Sequence, residues 1–194
     1  SLSTLLANKG ADGEISLREA ITATNNTANG AQADKISFNI DGTGVHTITL
    51  GSVLPSITGA VVIDGTTDTA SVTANGGRPA IVINGNGLNV AGLRLSATAD
   101  GSTIRGLVVR NFGDAALRID AGSDGNTIAG NYLGVVDATG NQAAAVNGSY
   151  TMYVEGANNI IGGSTAADRN VLGTHGASLV YGVLVTGATA TGNQ

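Results

Sequence analysis

Charged side chains that could act together in catalysis or metal binding are concentrated between residues 100 and 124. The segment contains four aspartates and three arginines, namely Asp100, Asp114, Asp120, Asp124, Arg105, Arg110 and Arg118. A pair of aspartates beside an arginine can bind Ca²⁺ or take part in the removal of an acidic proton. Arg118 and Asp120 are two positions apart, so on a β-strand both would lie on the same face. These residues are the candidates for any catalytic or calcium site.

The rest of the sequence favours a simpler interpretation of these candidates. Arg105, Arg110 and Arg118 form the one loose group of basic residues, which we expect to be a solvated face. His46 and His175 lie far apart, and we expect each to be a surface or edge residue. No His-rich or Asp-rich spacing typical of zinc sites or of calcium-binding repeats is present. We therefore assign no catalytic, cofactor-binding or metal-binding residue, and calcium is retained only as a hypothesis.

Carbohydrate binding would require exposed aromatic rings that can stack on sugar rings. The chain has only four tyrosines, at positions Tyr132, Tyr150, Tyr153 and Tyr181. We expect Tyr132 and Tyr181 to lie at the edge of the core rather than on an open surface. With so few rings, the sequence gives little support to a sugar-binding face.

Composition limits the classes of protein to which the chain can belong. At 194 residues it is long enough for one substantial domain. Its residues are 42% hydrophobic but only 3% aromatic, with 30 glycines, so small β-branched side chains must fill a narrow core. The absence of cysteine excludes disulfides and thiolate metal sites. The net charge of −5 argues against nucleic acid or an anionic membrane as a partner, and no apolar run approaches the ~20 residues that would cross a bilayer.

Residues 1–33 differ in pattern from everything that follows. Residues 16–25, SLREAITATN, combine Ser16 with Glu19 three positions later, which is typical of a capping box. The apolar residues of this segment fall on one face of a helix. We predict an N-terminal cap, residues 1–33, whose amphipathic helix covers the exposed end of a repetitive core. A helix that docks a partner is the alternative.

From Asp34 onward the sequence predicts short strands separated by turns. Runs such as HTITL, residues 46–50, alternate between apolar and polar residues, and Asn-Gly and Asp-Gly pairs punctuate them. Isoleucines recur about every 20 to 24 residues, the length expected of one solenoid coil, at positions Ile63, Ile83, Ile104 and Ile128. About seven or eight such coils would fill residues 34–194. Antiparallel hairpins at the Asn-Gly pairs are the competing interpretation.

The clearest internal repeat relates residues 126–141, NTIAGNYLGVVDATGN, to residues 159–176, NIIGGSTAADRNVLGTHG. Each copy has a β-branched run, a glycine or asparagine, a second apolar run and a polar turn. Asparagine tolerates left-handed backbone conformations and can bind a copy of itself in the next coil through hydrogen bonds. We therefore predict structural ladders that involve Asn126, Asn131, Asn159 and Asn170.

Residues 13–21, GEISLREAI, resemble the Cys-Ser-Leu-Arg-Glu-Ala motif that opens the β-helix regions of many large bacterial surface and secreted proteins. The resemblance continues through VVIDGTT (61–67), STIRGLVVRNF (102–112) and both repeat segments, and it covers most of the chain. Ile15 stands where the motif has cysteine, so no thiol role is expected. The resemblance implies a right-handed parallel β-helix, similar to pectate lyase, within a repetitive and often adhesin-like extracellular protein.

The same resemblance bears on catalysis. Enzymes with this fold act on acidic polysaccharides through carboxylates, calcium and an arginine or lysine base. Polygalacturonase-like sequences would carry paired aspartates, Gly-His-Gly and Arg-Ile-Lys, whereas residues 118–120 of this chain are Arg-Ile-Asp. The resemblance thus gives an enzyme little support.

The sequence as a whole predicts an all-β protein, a right-handed parallel β-helix with a short N-terminal α-helical cap in residues 1–33 and coils in residues 34–194. We expect a non-enzymatic structural or adhesin-like module of a bacterial extracellular or cell-surface protein. A polysaccharide lyase or hydrolase and a carbohydrate-binding β-helix are the alternatives. Extracellular glycans or cell-surface components are the expected partners, and we expect them to bind at loops such as residues 138–150. The chain starts at Ser1 without Met and ends within a strand-like pattern, so we expect the parent protein to continue, and an open last coil to self-associate.

Overall fold

A computed structural model of the chain describes residues 13–134, 136–142, 148–174 and 181–194. Most regular structure in these ranges is β-strand, arranged in three parallel sheets. Sheet 1 contains β1 (Asp34–Ser37), β3 (Val61–Asp64), β6 (Thr103–Arg105), β9 (Thr127–Ala129) and β12 (Ile160–Ile161). Sheet 2 contains β2 (His46–Thr49), β4 (Ile81–Leu88), β7 (Leu107–Phe112), β10 (Tyr132–Gly134) and β13 (Val171–Gly173). Sheet 3 contains β5 (Leu93–Leu95), β8 (Ala115–Ile119), β11 (Tyr150–Val154) and β14 (Tyr181–Val185).

Consecutive strands always belong to different sheets. From β3 to β14 the chain visits sheet 1, sheet 2 and sheet 3 in turn, four times over. Within the described ranges every pair of named strands is parallel, and the one antiparallel contact is an isolated bridge between Val136 and Gln142. Parallel strands need a crossover between them, so a meander of hairpins does not describe this chain. The prediction of an all-β parallel fold is confirmed at this level.

Paired strands place similar aliphatic residues directly above one another. In sheet 1 the register aligns five isoleucines, Ile36, Ile63, Ile104, Ile128 and Ile161. In sheet 2 it aligns Ile48, Ile83, Val109, Leu133 and Leu172. In sheet 3 it aligns Leu95, Ile119, Val154 and Val185. Buried residues from all three sheets form a single hydrophobic cluster, so the sheets share one core of small branched side chains.

The spacing of isoleucines gave the wrong repeat for part of the chain. Ile63 pairs directly with Ile104, whereas Ile83, which lies between them in the sequence, belongs to sheet 2 and pairs with Val109. Among the described residues, the two longest sheets have five strands each, fewer than the seven or eight coils expected. The excess arose because a constant coil length was assumed, while the connections between strands differ greatly in length.

The predicted first helix is confirmed as α1 (Leu17–Asn25). The Ser16 hydroxyl accepts a hydrogen bond from the Glu19 backbone, and the Glu19 carboxylate accepts one from the Ser16 backbone at 2.8 Å. This reciprocal pair satisfies two backbone donors that a helix start leaves open. Leu17 and Ile21 are buried in the shared core, and α1 packs against β1. Residues 1–12 of the predicted cap lie outside the described residues.

A second helix, α2 (Thr69–Ala74), was not expected in a region predicted to be all strand and turn. The Asp68 carboxylate caps it by accepting a hydrogen bond from the Ser71 backbone at 3.2 Å. Short 3₁₀ turns also occur at Gly65–Thr67 and Ala166–Asp168. A helix of six residues is too short to show an apolar stripe, and a capping aspartate alone is too weak a signal to predict it from the sequence. No helix among the described residues is long and apolar enough to span a membrane.

Buried asparagines form the ladders that the sequence predicted. The Asn126 backbone and amide nitrogens both donate to Oδ1 of Asn159 at 2.9 Å. Asn159 donates in the same way to Oδ1 of Asn193, at 2.8 and 3.0 Å. The first ladder is extended by Ser102, whose backbone donates to Oδ1 of Asn126 at 2.8 Å. These bonds pair polar groups that would otherwise be buried without a partner.

A second ladder follows the adjacent corner of the fold. The Asn131 backbone donates to Oδ1 of Asn170 at 2.9 Å, and the Leu107 backbone donates to Oδ1 of Asn131 at 3.1 Å. The Asn131 amide also donates to the Ile104 carbonyl at 2.9 Å. We call three consecutive strands, one from each sheet, a layer, as in β6, β7 and β8. The first ladder connects successive layers just before the strands of sheet 1, and the second connects them just after these strands.

We predict that Asn159→Ala lowers the free energy of unfolding by about 2–3 kcal/mol, because it leaves the buried Asn126 N–H without an acceptor. Chemical denaturation measures this loss. Asn89→Ala is the matched control, since Asn89 is exposed and its side chain forms no hydrogen bond with the described residues. Equal stability of the two variants would contradict a structural role for the ladder.

Asp68 predicts a pH dependence of stability. Burial alone would raise the pKa of Asp68, but hydrogen bonds from Ser71 and Ile40, with His46 nearby, outweigh burial and hold this pKa below its usual range. The folded state therefore gains stability above the unfolded pKa of about 3.9, and loses it as the pH falls through the lower folded value.

The free energy of unfolding, measured by denaturation between pH 5 and pH 2, should fall in the acid range, and Asp68→Asn should flatten that fall. Asp41→Asn removes the same charge from an exposed turn residue and serves as the control. An Asp68→Asn profile parallel to that of the wild type would show that Asp68 does not contribute.

Candidate functional site

The three arginines of the 100–124 segment do not converge. Arg105 ends β6 in sheet 1, Arg110 lies in β7 of sheet 2, and Arg118 lies in β8 of sheet 3. Because consecutive strands enter different sheets, residues close in sequence are distributed over three surfaces. The expected solvated face made by all three arginines is therefore not formed.

Two of the four candidate aspartates accept hydrogen bonds from backbone groups of a neighbouring turn. The Asp100 carboxylate accepts a hydrogen bond from the Asp124 backbone at 2.7 Å, and the Asp124 carboxylate accepts one from the Ala157 backbone at 2.7 Å. Each bond joins one turn to the corresponding turn of the next layer. Asp100 and Asp124 thus stabilise the corner between sheets 3 and 1.

Arg118 and Asp120 do lie together, as their spacing predicted. Nε of Arg118 donates to Oδ1 of Asp120 at 2.9 Å, and Nη2 of Arg118 donates to Oε2 of Glu155 at 2.8 Å. Nε of Arg94 donates to the other oxygen of Asp120 at 2.8 Å. The register of sheet 3 explains these contacts, because Arg94, Arg118 and Tyr153 are paired in successive strands. Arg94 and Glu155 were not among the residues predicted from the sequence, because they join the group only through that pairing.

The charge state of Arg118 limits its chemistry. Partial burial alone would lower the pKa of Arg118, but the hydrogen bond to Asp120 and the charges of Glu155, Asp120 and Asp114 outweigh burial and raise this pKa above its usual value. A guanidinium that stays protonated donates hydrogen bonds and cannot accept a proton. Arg118 is therefore suited to binding and unsuited to acting as a base.

Three of the four tyrosines meet on the same surface. The ring of Tyr150 lies 4.9 Å from that of Tyr153 in an edge-to-face arrangement, and 5.8 Å from that of Tyr181 in a stacked arrangement. The guanidinium carbon of Arg118 lies 4.2 Å from the centre of the Tyr153 ring. We call Arg118, Tyr150, Tyr153 and Tyr181 the tyrosine–arginine cluster. A π-stacked group of this kind offers aromatic edges and faces together with a fixed positive charge.

The expectations for the individual tyrosines had different outcomes. Tyr132 is half-buried, as expected, but it packs against Val82, Val108 and Ala138, a small hydrophobic cluster that is separate from the main core. Tyr181 is 45% exposed, so its predicted place at the core edge was wrong. The reason is that β14 is the outermost strand of sheet 3 among the described residues, and no further strand covers it.

A surface depression of about 290 Å³ adjoins the cluster. Arg94, Asp114 and Arg118 contribute its polar wall, and the opposite side consists of residues from the loop before β5 and from the 53–56 region. This volume is close to ~300 Å³, the lower end of the range of volumes found for small-molecule pockets. Arg118 thus belongs both to the depression and to the tyrosine–arginine cluster.

The described residues show little that could hold a metal. They contain no group of three or more His, Asp or Glu residues placed to bind an ion. His46 lies in β2, where its Nε2 is 2.9 Å from the Ser71 hydroxyl and 3.9 Å from the Asp68 carboxylate. His175 and part of the predicted 138–150 loop lie outside the described residues. Calcium stays a hypothesis without an assigned ligand.

In comparisons with known proteins, no family model, no curated protein and no solved structure matches the chain significantly. The structural features that bear on function are therefore the tyrosine–arginine cluster and the depression beside it.

Proposed function

We propose that the chain is a non-enzymatic structural, adhesin-like module of a bacterial extracellular or cell-surface protein, and that it contacts glycans through the outer surface of sheet 3. The observation that carries this proposal is the convergence of Tyr150, Tyr153 and Tyr181 beside Arg118.

The first part of the proposal is that the three sheets are the faces of a right-handed parallel β-helix. The regular visiting order of the sheets, the aligned aliphatic columns and the single shared core support it. Right-handed crossovers are the strong rule for parallel strands in one sheet. In this arrangement α1 would cover the first layer of the core, where Leu17 and Ile21 are already buried.

The second part is mechanical. Each layer is joined to the next by backbone pairing, and the layers from β6 onward also by the asparagine ladders, without disulfides, since the chain has no cysteine. Stacked units of this kind contact only their neighbours, so the module keeps its shape over its length. Such a scaffold is suited to holding a binding surface away from a cell.

The third part is glycan contact. Tyrosine presents an apolar ring face and a polar hydroxyl, and this combination suits the mixed apolar and hydroxyl surface of a sugar. Arg118, Arg94 and Asp120 offer hydrogen-bond donors and acceptors next to the rings. The depression of about 290 Å³ provides a concave surface beside them.

The alternative of a polysaccharide lyase or hydrolase receives less support. Glycoside hydrolysis uses two carboxyl groups, one of which must deliver a proton. Asp120 and Glu155 are both engaged in ion pairs with arginines, and Asp114 is a single carboxylate at the edge of the depression. Arg118 is held in its charged form, which opposes a lyase base.

Binding to an array of bacterial, plant and host glycans tests the proposal, followed by titration calorimetry with the best ligand. Tyr181→Ala should weaken binding about tenfold, because loss of one stacked ring removes about 1.5 kcal/mol. Val185→Ala is the matched control, since Val185 lies on the same strand and is also 45% exposed.

Equal affinity of the two variants, or an array without a ligand, would count against the glycan surface. A parallel assay for reducing or unsaturated ends, with and without Ca²⁺, distinguishes binding from catalysis. Product release would favour the enzyme alternative.

We further propose that the module self-associates through the sheet edge at β14. The aliphatic columns of sheet 3 end there in Val183 and Val185, which are 36% and 45% exposed. Uncovered apolar positions and unpaired backbone groups favour addition of another strand. Light scattering should show a mass that rises with concentration, and Val185→Lys should reduce it. A constant monomer mass at high concentration would contradict this proposal.

A further inference from the structure

A notch is formed where the chain passes from sheet 1 to sheet 2. β6 and β7 are joined by Gly106 alone, and β9 and β10 by Gly130 and Asn131. The corresponding connections on either side are long: residues 65–80 join β3 to β4, and residues 162–170 join β12 to β13. Because β6 and β9 lie between β3 and β12 in sheet 1, two short corners are bracketed by two long ones.

The two short corners form the floor of the notch, and the two long connections pack closely against them. Gly106 and Gly130 both have a φ of +67°, a conformation that glycine adopts without strain. A side chain at Gly106 would collide with Thr66 from one long connection, and one at Gly130 would approach the Ala167 carbonyl oxygen, from the other, to 2.6 Å. The remaining depression has a volume of about 150 Å³.

Three arginines converge on this notch from different parts of the chain. Arg105 comes from the floor, and Arg78 and Arg169 come from the two long connections. They are three of only nine Lys and Arg residues in a chain with a net charge of −5. Two carboxylates partly balance them, since Asp168 also lines the notch and Asp64 lies 3.6 Å from Arg105, so three positive charges face two negative ones and the notch keeps an excess of positive charge.

The guanidinium groups of these arginines retain donors for a ligand. Nη1 of Arg78 reaches only the Asn75 carbonyl, at 3.5 Å, and Nε of Arg105 is 3.6 Å from the Asp64 carboxylate. The guanidinium of Arg169 is exposed and forms no hydrogen bond or ion pair with any residue that the structure describes. Planar guanidinium donors match the oxygens of carboxylate, sulfate and phosphate groups.

The acidic groups near the notch already have other donors. The Asp168 carboxylate accepts hydrogen bonds from the Thr165 backbone and hydroxyl, at 3.1 and 2.7 Å. These bonds, with the charge of Arg105, hold the pKa of Asp168 below its usual range. Oδ1 of Asp64 accepts from the Thr66 backbone and hydroxyl, at 3.0 and 2.6 Å. Neither carboxylate therefore uses up the donors of Arg78 and Arg169.

We propose that the notch is a binding site for a single oxyanion group, a carboxylate, sulfate or phosphate, held by Arg78, Arg105 and Arg169. Its small volume suits one such group or the end of a small ligand. The site lies between sheets 1 and 2 and shares no lining residue with the depression at the tyrosine–arginine cluster. It therefore does not depend on the proposed glycan surface of sheet 3.

Titration of the ¹⁵N-labelled chain with sodium sulfate, sodium phosphate and sodium glucuronate tests this proposal. Ionic strength is kept constant by exchange against sodium chloride, which removes general screening effects. We expect saturable shifts of the Gly106 and Gly130 amide signals with a Kd of about 1–10 mM. Arg169→Gln and Arg78→Gln should each raise this Kd about tenfold, and both positions are exposed, so folding should not be affected.

Lys35→Gln is the matched control, because it also removes one exposed positive charge, from β1, and Lys35 lines neither depression. It should leave the Kd unchanged. Absent or non-saturable shifts with all three anions, or equal weakening by Lys35→Gln and Arg169→Gln, would overturn the proposal. Tighter binding of glucuronate than of sulfate and phosphate would identify a sugar acid as the source of the oxyanion, and the reverse order would identify an inorganic or ester oxyanion.

Discussion

Parallel pairing of short strands is the constraint on which the rest of this structure depends, and buried asparagines fix where the later pairings in sheets 1 and 2 begin. A strand of three residues makes few backbone bonds, and a shift by one residue would expose its core side chains. Asn126 and Asn159 bind the backbone of the same corner in successive layers, which sets the register before the strand starts. The aliphatic columns, the polar outer surfaces and the notch all follow from that register.

Local patterns allowed part of the fold to be predicted from the sequence. Ser16 and Glu19 identified α1 because a capping box is complete within four residues, and the repeated Asn-β-branched pattern identified the ladders. The layer count could not be obtained in this way. Ile83 has the same local pattern as Ile63, and only the pairing of strands far apart in sequence shows that the two belong to different sheets. The length of a connection between two strands cannot be predicted from any local sequence pattern.

The candidate binding surfaces also combine residues that are close in sequence with residues that only strand pairing brings together. Arg118 and Asp120 were found because they are neighbours on one strand, where alternation alone predicts a common face. Tyr150 and Tyr181 meet because β11 pairs with β14. Arg78 and Arg169 meet because two long connections flank the same short corners. A group assembled across layers is therefore invisible until the layers are aligned.

The unequal corners between sheets 1 and 2 also have a consequence for protein engineering. One glycine suffices between β6 and β7, yet residues 65–80 make the same passage one layer earlier, and the isoleucines of sheet 1 stay aligned through both layers. The free-energy cost of closing a loop grows only slowly with its length. An insertion in such a connection therefore leaves the core residues aligned. The two long connections, unlike the closely packed corners at Gly106 and Gly130, are thus natural grafting points, where foreign peptides could be displayed on a rigid support.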